Sequence, residues 1–230
     1  MVCIRCTQII RITLIYADRG WMIEIRGLIK AFENVVLKYP DIIAYEGDFV
    51  LLCGDSGTGK STLCEMIAKF LVQDAGEIRM ECSGSRNVFE NIHYLSQCPD
   101  HNLIGPTCYE EIELWLENNS FRFSVDSFQE VGGYGDFIKN RLSEFLLNDY
   151  IDMPVWKLSF GKKKALAFCC ISTIKRAIWV LDEPFAGLDR DMIVVVKKIL
   201  HEFLEKGGIV IATSHSNEGY EDFNVKRFEV

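Results

Sequence analysis

The residues from Gly54 to Thr62 read Gly54-Asp55-Ser56-Gly57-Thr58-Gly59-Lys60-Ser61-Thr62 and fit the pattern GxxxxGK[ST] at every fixed position. Glycines at this spacing let consecutive backbone N–H groups turn inward around phosphate oxygens, at a helix N-terminus that already favours anions. Lys60 is a point charge for β- and γ-phosphates, and the Ser61 hydroxyl suits a Mg²⁺ ion. Further along, Ala177 to Pro184 reads AIWVLDEP. An apolar strand there delivers Asp182 at its C-terminal end, the place where open α/β sheets bind ligands. Asp182 is then positioned to hold Mg²⁺, directly or through water. Glu183 follows at once and could polarise an attacking water.

The elements needed to position these groups are legible on either side of them. Phe49 to Cys53 (FVLLC) is a continuous apolar run that ends abruptly at Gly54, as a strand buried on both faces would. Ser61 to Leu71 follows with helical spacing of Leu63, Ile67 and Phe70. Ile23 to Ile29, Val35 to Leu37 and Ile42 to Ala44 read as strands, with Pro40-Asp41 as a turn signal. Ile92 to Leu95, Ile178 to Leu181, Ile209 to Ala212 and Val225 to Val230 are further strands. Gly161 to Thr173 and Met192 to Leu204 read as helices, and strand–helix alternation of this kind implies a parallel sheet with right-handed crossovers. Residues from about Asp100 to Trp156 differ: they are polar, broken by glycines, and carry amphipathic pieces at Tyr109 to Leu116 and Phe137 to Leu147. That stretch reads as a helical insertion.

The composition excludes several classes. The chain has 230 residues and a formal net charge of −8, which argues against a general nucleic-acid binder. No apolar stretch approaches the roughly 18–20 residues of a membrane-spanning helix. The nine cysteines are scattered and odd in number, unlike a secreted disulfide framework. Cys3 and Cys6 form a CxxC without a second ligand pair for zinc, and most of the other cysteines sit in apolar surroundings and read as small core hydrophobes. Residues 1–21 read as a leader or an extra edge strand, and Met22 begins a segment that looks like the start of the domain.

Taken in order along the chain, these motifs resemble the nucleotide-binding subunits of ATP-binding-cassette transporters. Lys157 to Lys164 (KLSFGKKK) is similar to the family's signature sequence, and Gln97 to the glutamine of the loop that leads into the helical insertion. Ala186-Gly187-Leu188-Asp189 resembles the loop after the catalytic glutamate, and His215 the switch histidine. Phe32 occupies the place of the aromatic residue that stacks on adenine, with a core aromatic as the alternative reading. The resemblance implies a P-loop NTPase fold over residues 22–230, with a mostly parallel sheet, an antiparallel β subdomain near the N-terminus and a helical insertion at about 98–157. It implies ATP and Mg²⁺ as cofactors, held by the Gly54–Thr62 loop, Gln97 and Asp182. Glu183 would be the general base or water-orienting group, with Gln97 and His215 beside it. Ser159 and Gly161 would meet nucleotide held by a second ATP-binding subunit, so that two chains sandwich two ATP molecules, and Asp189 would be a further nucleotide-binding residue. The signature departs from LSGGQ at Phe160 and Lys162, and Ala165 stands where a basic residue is usual.

Within the family, the segment from Leu95 to Ile104 followed by Tyr109-Glu110-Glu111-Ile112 is similar to the energy-coupling-factor branch, which imports vitamins or transition-metal ions. Many members of that branch carry an extra C-terminal dimerisation segment, whereas Ser216 to Val230 alone follow His215 here. The expected partners are integral membrane coupling and substrate-binding subunits, not nucleic acid, and the expected location is peripheral, at the cytoplasmic face of the membrane. The apolar stripe Tyr109, Ile112, Trp115 and Leu116, or the nearby Leu103-Ile104, would form a groove for a helix of a membrane subunit; the other reading packs the stripe inside the insertion. A soluble ATPase of the same fold acting on nucleic acid or ribosomes is the alternative function.

Overall fold

The computed structural model describes residues 20–81, 91–118, 133–174, 176–216 and 219–230. Its strands form two sheets. In the first, the long strand β1 (Met22–Phe32) pairs antiparallel with β2 (Val35–Lys38), β3 (Ile42–Tyr45) and β5 (Ala75–Glu81). The C-terminal half of β1 meets β2 and its N-terminal half meets β3. The second sheet has the order β6 (Ile92–Leu95), β7 (Ile178–Leu181), β8 (Ile209–Ser214), β4 (Phe49–Cys53), β9 (Val225–Glu229), and every pairing in it is parallel.

The parallel strands are apolar on both faces because both faces are covered, and their side chains alternate between two cores. Phe49, Leu51, Trp179, Leu181, Val210 and Ala212 enter one, built with the helical part of the chain. Val50, Leu52, Ile178, Val180, Ile209 and Ile211 enter the other, beneath the antiparallel sheet.

Five helices are described: α1 (Lys60–Ile67), α2 (Cys108–Asn118), α3 (Tyr134–Glu144), α4 (Phe160–Thr173) and α5 (Arg190–Glu205). Helix α1 is shorter than the spacing of Leu63, Ile67 and Phe70 suggests. Lys69 takes a left-handed backbone (φ 65°), the N–H groups of Phe70 and Leu71 turn back to the Glu65 carbonyl, and the Phe70 ring ends 74% exposed. Strand β5 has no counterpart in the sequence reading: only Ile78 and Met80 alternate with Glu77, Arg79 and Glu81, and it is held by pairing to β1.

Cys108, Ile112 and Leu116 of α2 and Ile138 and Leu142 of α3 pack with α4 in one buried cluster. The Ile112–Leu116 stripe is therefore internal, as its plainer reading has it. The Thr107 hydroxyl donates to the Glu110 carboxylate (2.7 Å) and accepts from the Glu110 N–H (3.3 Å), closing the start of α2. Cys64, Cys108, Cys169 and Cys170 are buried free thiols. The expectations for residues 1–19, among them Cys3 and Cys6, lie outside the described residues.

Candidate nucleotide-binding and hydrolysis site

Register brings the chemistry together. Cys53 lies opposite Ser214, Leu181 opposite Ala212, and Leu95 opposite Leu181. Parallel strands in step must release their chains at the same edge. The glycine loop, Gln97, Asp182-Glu183 and His215 all leave the sheet there.

The loop is open to an anion. Asp55, Ser56 and Gly57 are exposed, and a Cβ placed at Gly57 would touch nothing within 4 Å. Gly57 and Gly59 have φ of 85° and 104°, which only glycine adopts without strain. Gly59 is also crowded: a Cβ there would lie 2.7 Å from Leu37 Cδ1 and 2.9 Å from the Tyr39 hydroxyl. That hydroxyl donates to the Gly59 carbonyl (3.1 Å), and burial pushes its pKa up to about 12. The segment leading out of β2 thus braces the loop. Phe32 sits at the other end of the same hairpin, opposite Val35. It is 49% exposed, with the Lys30 ammonium 5.7 Å from its ring centre, so it is not a core aromatic.

Lys60 is nearly buried, and its ammonium donates to the Gly54 and Asp55 carbonyls (2.7 and 2.6 Å). It also lies 3.5 Å from His215 Nδ1. His215 Nε2 meets one carboxylate oxygen of Glu183. The amide nitrogen of Gln97 donates to the other at 3.2 Å. Lys60, His215, Glu183 and Gln97 form one continuous polar chain.

Behind it lies a second set of contacts. The buried Thr213 hydroxyl donates to Asp182 Oδ1 (2.6 Å) and accepts from the Glu183 N–H (2.9 Å). Glu183 has φ 49°, a left-handed backbone that costs a non-glycine residue about 1–3 kcal/mol. The Lys164 ammonium donates to its carbonyl at 2.5 Å. Lys164 belongs to the run Lys162 to Lys164 in the first turns of α4, yet its side chain is fully buried. Burial lowers its pKa to about 8, with Glu183 and Asp182 pulling the other way. Lys163 is paired with Asp100 (2.5 Å), and Lys162 lies 5.3 Å from the Tyr150 ring centre.

The signature residues pack against the loop that follows Glu183. A Cβ on Gly161 would fall 2.5 Å from the Gly187 carbonyl, and one on Gly187 would fall 2.5 Å from the Phe160 ring. Phe160 therefore fills the space over a glycine of its own chain. Ser159 caps α4, accepting from the Lys162 N–H (3.4 Å), and Asp189 caps α5, accepting from the Met192 N–H (2.9 Å). Both caps are exposed. In the single chain no described hydrogen bond joins Ser159, Gly161 or Asp189 to the glycine loop.

The ABC transporter family model matches residues 37–186. The chain belongs to the ABC transporter family. It is 31% identical over 196 residues to the cytochrome c biogenesis ATP-binding export protein CcmA of Histophilus somni, covering 80% of this chain and 81% of that protein. It is 28% identical over 203 residues to the energy-coupling factor transporter ATP-binding protein EcfA1 of Mycoplasma genitalium, covering 82% and 70%. Its fold is that of cbiO1 from Clostridium perfringens, part of the ABC transporter complex cbiONQ, with TM-score 0.62 at 23% identity over 86% of this chain and 79% of that one. The ABC protein described here is an ATP-binding subunit whose ATPase activity is coupled to transport, and such subunits work in complexes with membrane partners. No described helix is long and apolar enough to cross a membrane.

The donor set fits ATP with Mg²⁺. No three His, Cys, Asp or Glu side chains cluster among the described residues. A divalent ion would be held by the Ser61 hydroxyl, Gln97 and Asp182 together with the phosphates themselves, which matches the sparse protein ligation of Mg²⁺ at nucleotides. Thr213 is absent from the sequence analysis, and Lys164 appears there only as the last residue of the signature-like run, with no role of its own. One is an interior strand residue and the other the last of three lysines, and no spacing ties either of them to Asp182 or Glu183.

Proposed function

We propose that this subunit hydrolyses Mg²⁺-ATP and so energises import of a small solute, a vitamin or transition-metal ion, through membrane partners of the energy-coupling type. The observation that carries the chemistry is the chain from Lys60 through His215 and Glu183 to Gln97. The Gly54–Thr62 loop binds the phosphates, with Lys60 leaving its loop carbonyls for the β/γ-phosphates. Ser61, Gln97 and Asp182 would hold Mg²⁺, which would supply charge neutralisation at the phosphates. Glu183 would accept a proton from, or orient, the attacking water, and His215, which touches the Glu183 carboxylate through Nε2, would turn to donate to the γ-phosphate. Catalysis is positioning and electrostatics. Phe32 stacks on adenine from its half-exposed place on the hairpin. Ser159, Gly161 and Asp189 lie at an exposed edge, where a second ATP-binding subunit would complete the sandwich.

Import rests on the likeness of the Leu95–Ile112 segment to the energy-coupling branch. The same segment supplies a docking surface. The Ile104 side chain is 79% exposed and Trp156 69%. Their strands of chain are joined by the Val155 N–H to the Pro106 carbonyl (2.9 Å) and the bridge between Thr107 and Pro154. Glu111 is fully buried and accepts from the Ile104 N–H (2.8 Å), the Gly105 N–H and Trp115 Nε1 (2.9 Å). That carboxylate fixes the loop that presents Ile104. Ile104→Glu should leave ATP hydrolysis by the isolated subunit within about twofold, since surface changes away from such contacts are small. It should abolish copurification with membrane subunits and uptake in cells. Retention of both would place the docking surface elsewhere.

A further inference from the structure

Glu183 is gripped at both ends of its backbone. Its N–H donates to Thr213 from β8 (2.9 Å), and its carbonyl accepts from Lys164 of α4 (2.5 Å) and from the Ala186 N–H (3.2 Å). Between the two grips its φ is 49°, in the region that L side chains avoid. A residue left to itself there would relax. Its side chain would then swing away from Gln97 and His215. The Lys164 stem cannot follow such a movement, because it is fully buried and rides on a helix whose Phe168, Cys169 and Ile171 are themselves buried. The first turn of α4 meets the same loop a second time, where Gly161 lies against the Gly187 carbonyl and the Phe160 ring covers Gly187. A buried ammonium is costly unless it is used, and this one donates to the Glu183 carbonyl with the Phe160 ring centre 5.7 Å away.

We propose that Lys164 is a positioning residue for hydrolysis: held on the Glu183 carbonyl, it locks the left-handed turn that aims the Glu183 carboxylate at the Gln97–His215 pair. The proposal rests on Glu183 being the group that handles the attacking water. Lys164 acts through the Glu183 backbone, which its buried ammonium holds. It ties Glu183 to the helix that begins at the signature residues. A shift of Ser159 and Gly161 would therefore reach Glu183 through one rigid turn of α4.

The test uses the full chain in its transporter complex. Lys164→Met keeps the length of the stem and removes the donor. Turnover should fall about 10–100-fold, the scale of a small misplacement of a catalytic group, with KM for Mg²⁺-ATP within about twofold. The melting temperature should not fall, because an uncharged side chain suits the buried position. Lys164→Ala leaves room for a small amine, and propylamine, but not propanol, should restore part of its turnover. Wild-type turnover in Lys164→Met overturns the proposal. So does a loss of turnover that comes with raised KM, a lowered melting temperature and no amine rescue, which is the mark of a merely structural residue. Glu183→Gln is measured beside it. Wild-type turnover in that variant removes the premise. An inactive Glu183→Gln beside a fully active Lys164→Met rejects the role of Lys164 alone.

Discussion

Replacing Thr213 by Val removes a single hydroxyl from the centre of the site and leaves the shape almost unchanged. Thr213 is fully buried, and its hydroxyl donates to Asp182 Oδ1 at 2.6 Å while accepting from the Glu183 N–H at 2.9 Å. Asp182 is itself only 3% exposed, so water cannot readily replace the lost donor. A hydrogen bond to a buried charge contributes about 2–3 kcal/mol, and the bond from the Glu183 N–H about 1 kcal/mol more. A methyl in place of the hydroxyl creates no cavity, so the expected cost is about 3–4 kcal/mol without a packing term. For a chain of this length each kcal/mol lowers the melting temperature by about 2–4 °C, giving a fall of about 6–16 °C in the absence of nucleotide. Turnover should fall about tenfold or more, because Glu183 loses the grip on its N–H while keeping its carboxylate. Thr213→Ser keeps the hydroxyl and should recover most of both. Calorimetry of the three proteins, with ATPase rates measured on the same samples, decides the matter. A Thr213→Val protein that melts within about 2 °C of wild type and turns over normally would show that the hydroxyl supports neither Asp182 nor Glu183.

Lys60→Ala should weaken ATP binding by about 100-fold or more, since the phosphates lose a charge-assisted contact and the Gly54 and Asp55 carbonyls lose their donor; undiminished affinity by titration calorimetry refutes this role. Stability should fall in alkali. Burial raises the thiols of Cys64, Cys169 and Cys170 above their ordinary value near 9, so the folded chain keeps protons that the unfolded chain loses. Their contribution is fully present below about pH 9, and each thiol costs about 1.4 kcal/mol for every pH unit above it. Lys164, lowered to about 8, and Lys69, also lowered by burial, work in the opposite sense below pH 10.5, but Cys53 and Cys108, raised by burial too, add to the three thiols. The urea midpoint should therefore drop between pH 9 and 11, and a midpoint that holds or rises would contradict the burial of these thiols.

What the sequence determined was local or strictly periodic. The glycine loop is legible because a phosphate cradle is made by consecutive residues between one strand and one helix. FVLLC, IWVL and the strand before His215 are legible because a strand covered on both faces has to be apolar throughout. Strand β5 was not, since half-exposed pairing to β1 tolerates Glu77, Arg79 and Glu81 between its two apolar residues. Phe70 fits the helical spacing, but the left-handed turn at Lys69 ends α1 before it. Tertiary structure alone decided which neighbours the catalytic candidates have. In-step parallel pairing brings Lys60, Gln97, Glu183 and His215, four residues far apart in the chain, to one edge of the sheet. It also turns Thr213 towards Asp182 and Lys164 towards the Glu183 carbonyl. A threonine inside a strand and a lysine in a run of three carry no mark of that task in the sequence. The task comes from the face of the element on which each residue falls, and from what the rest of the chain packs against that face.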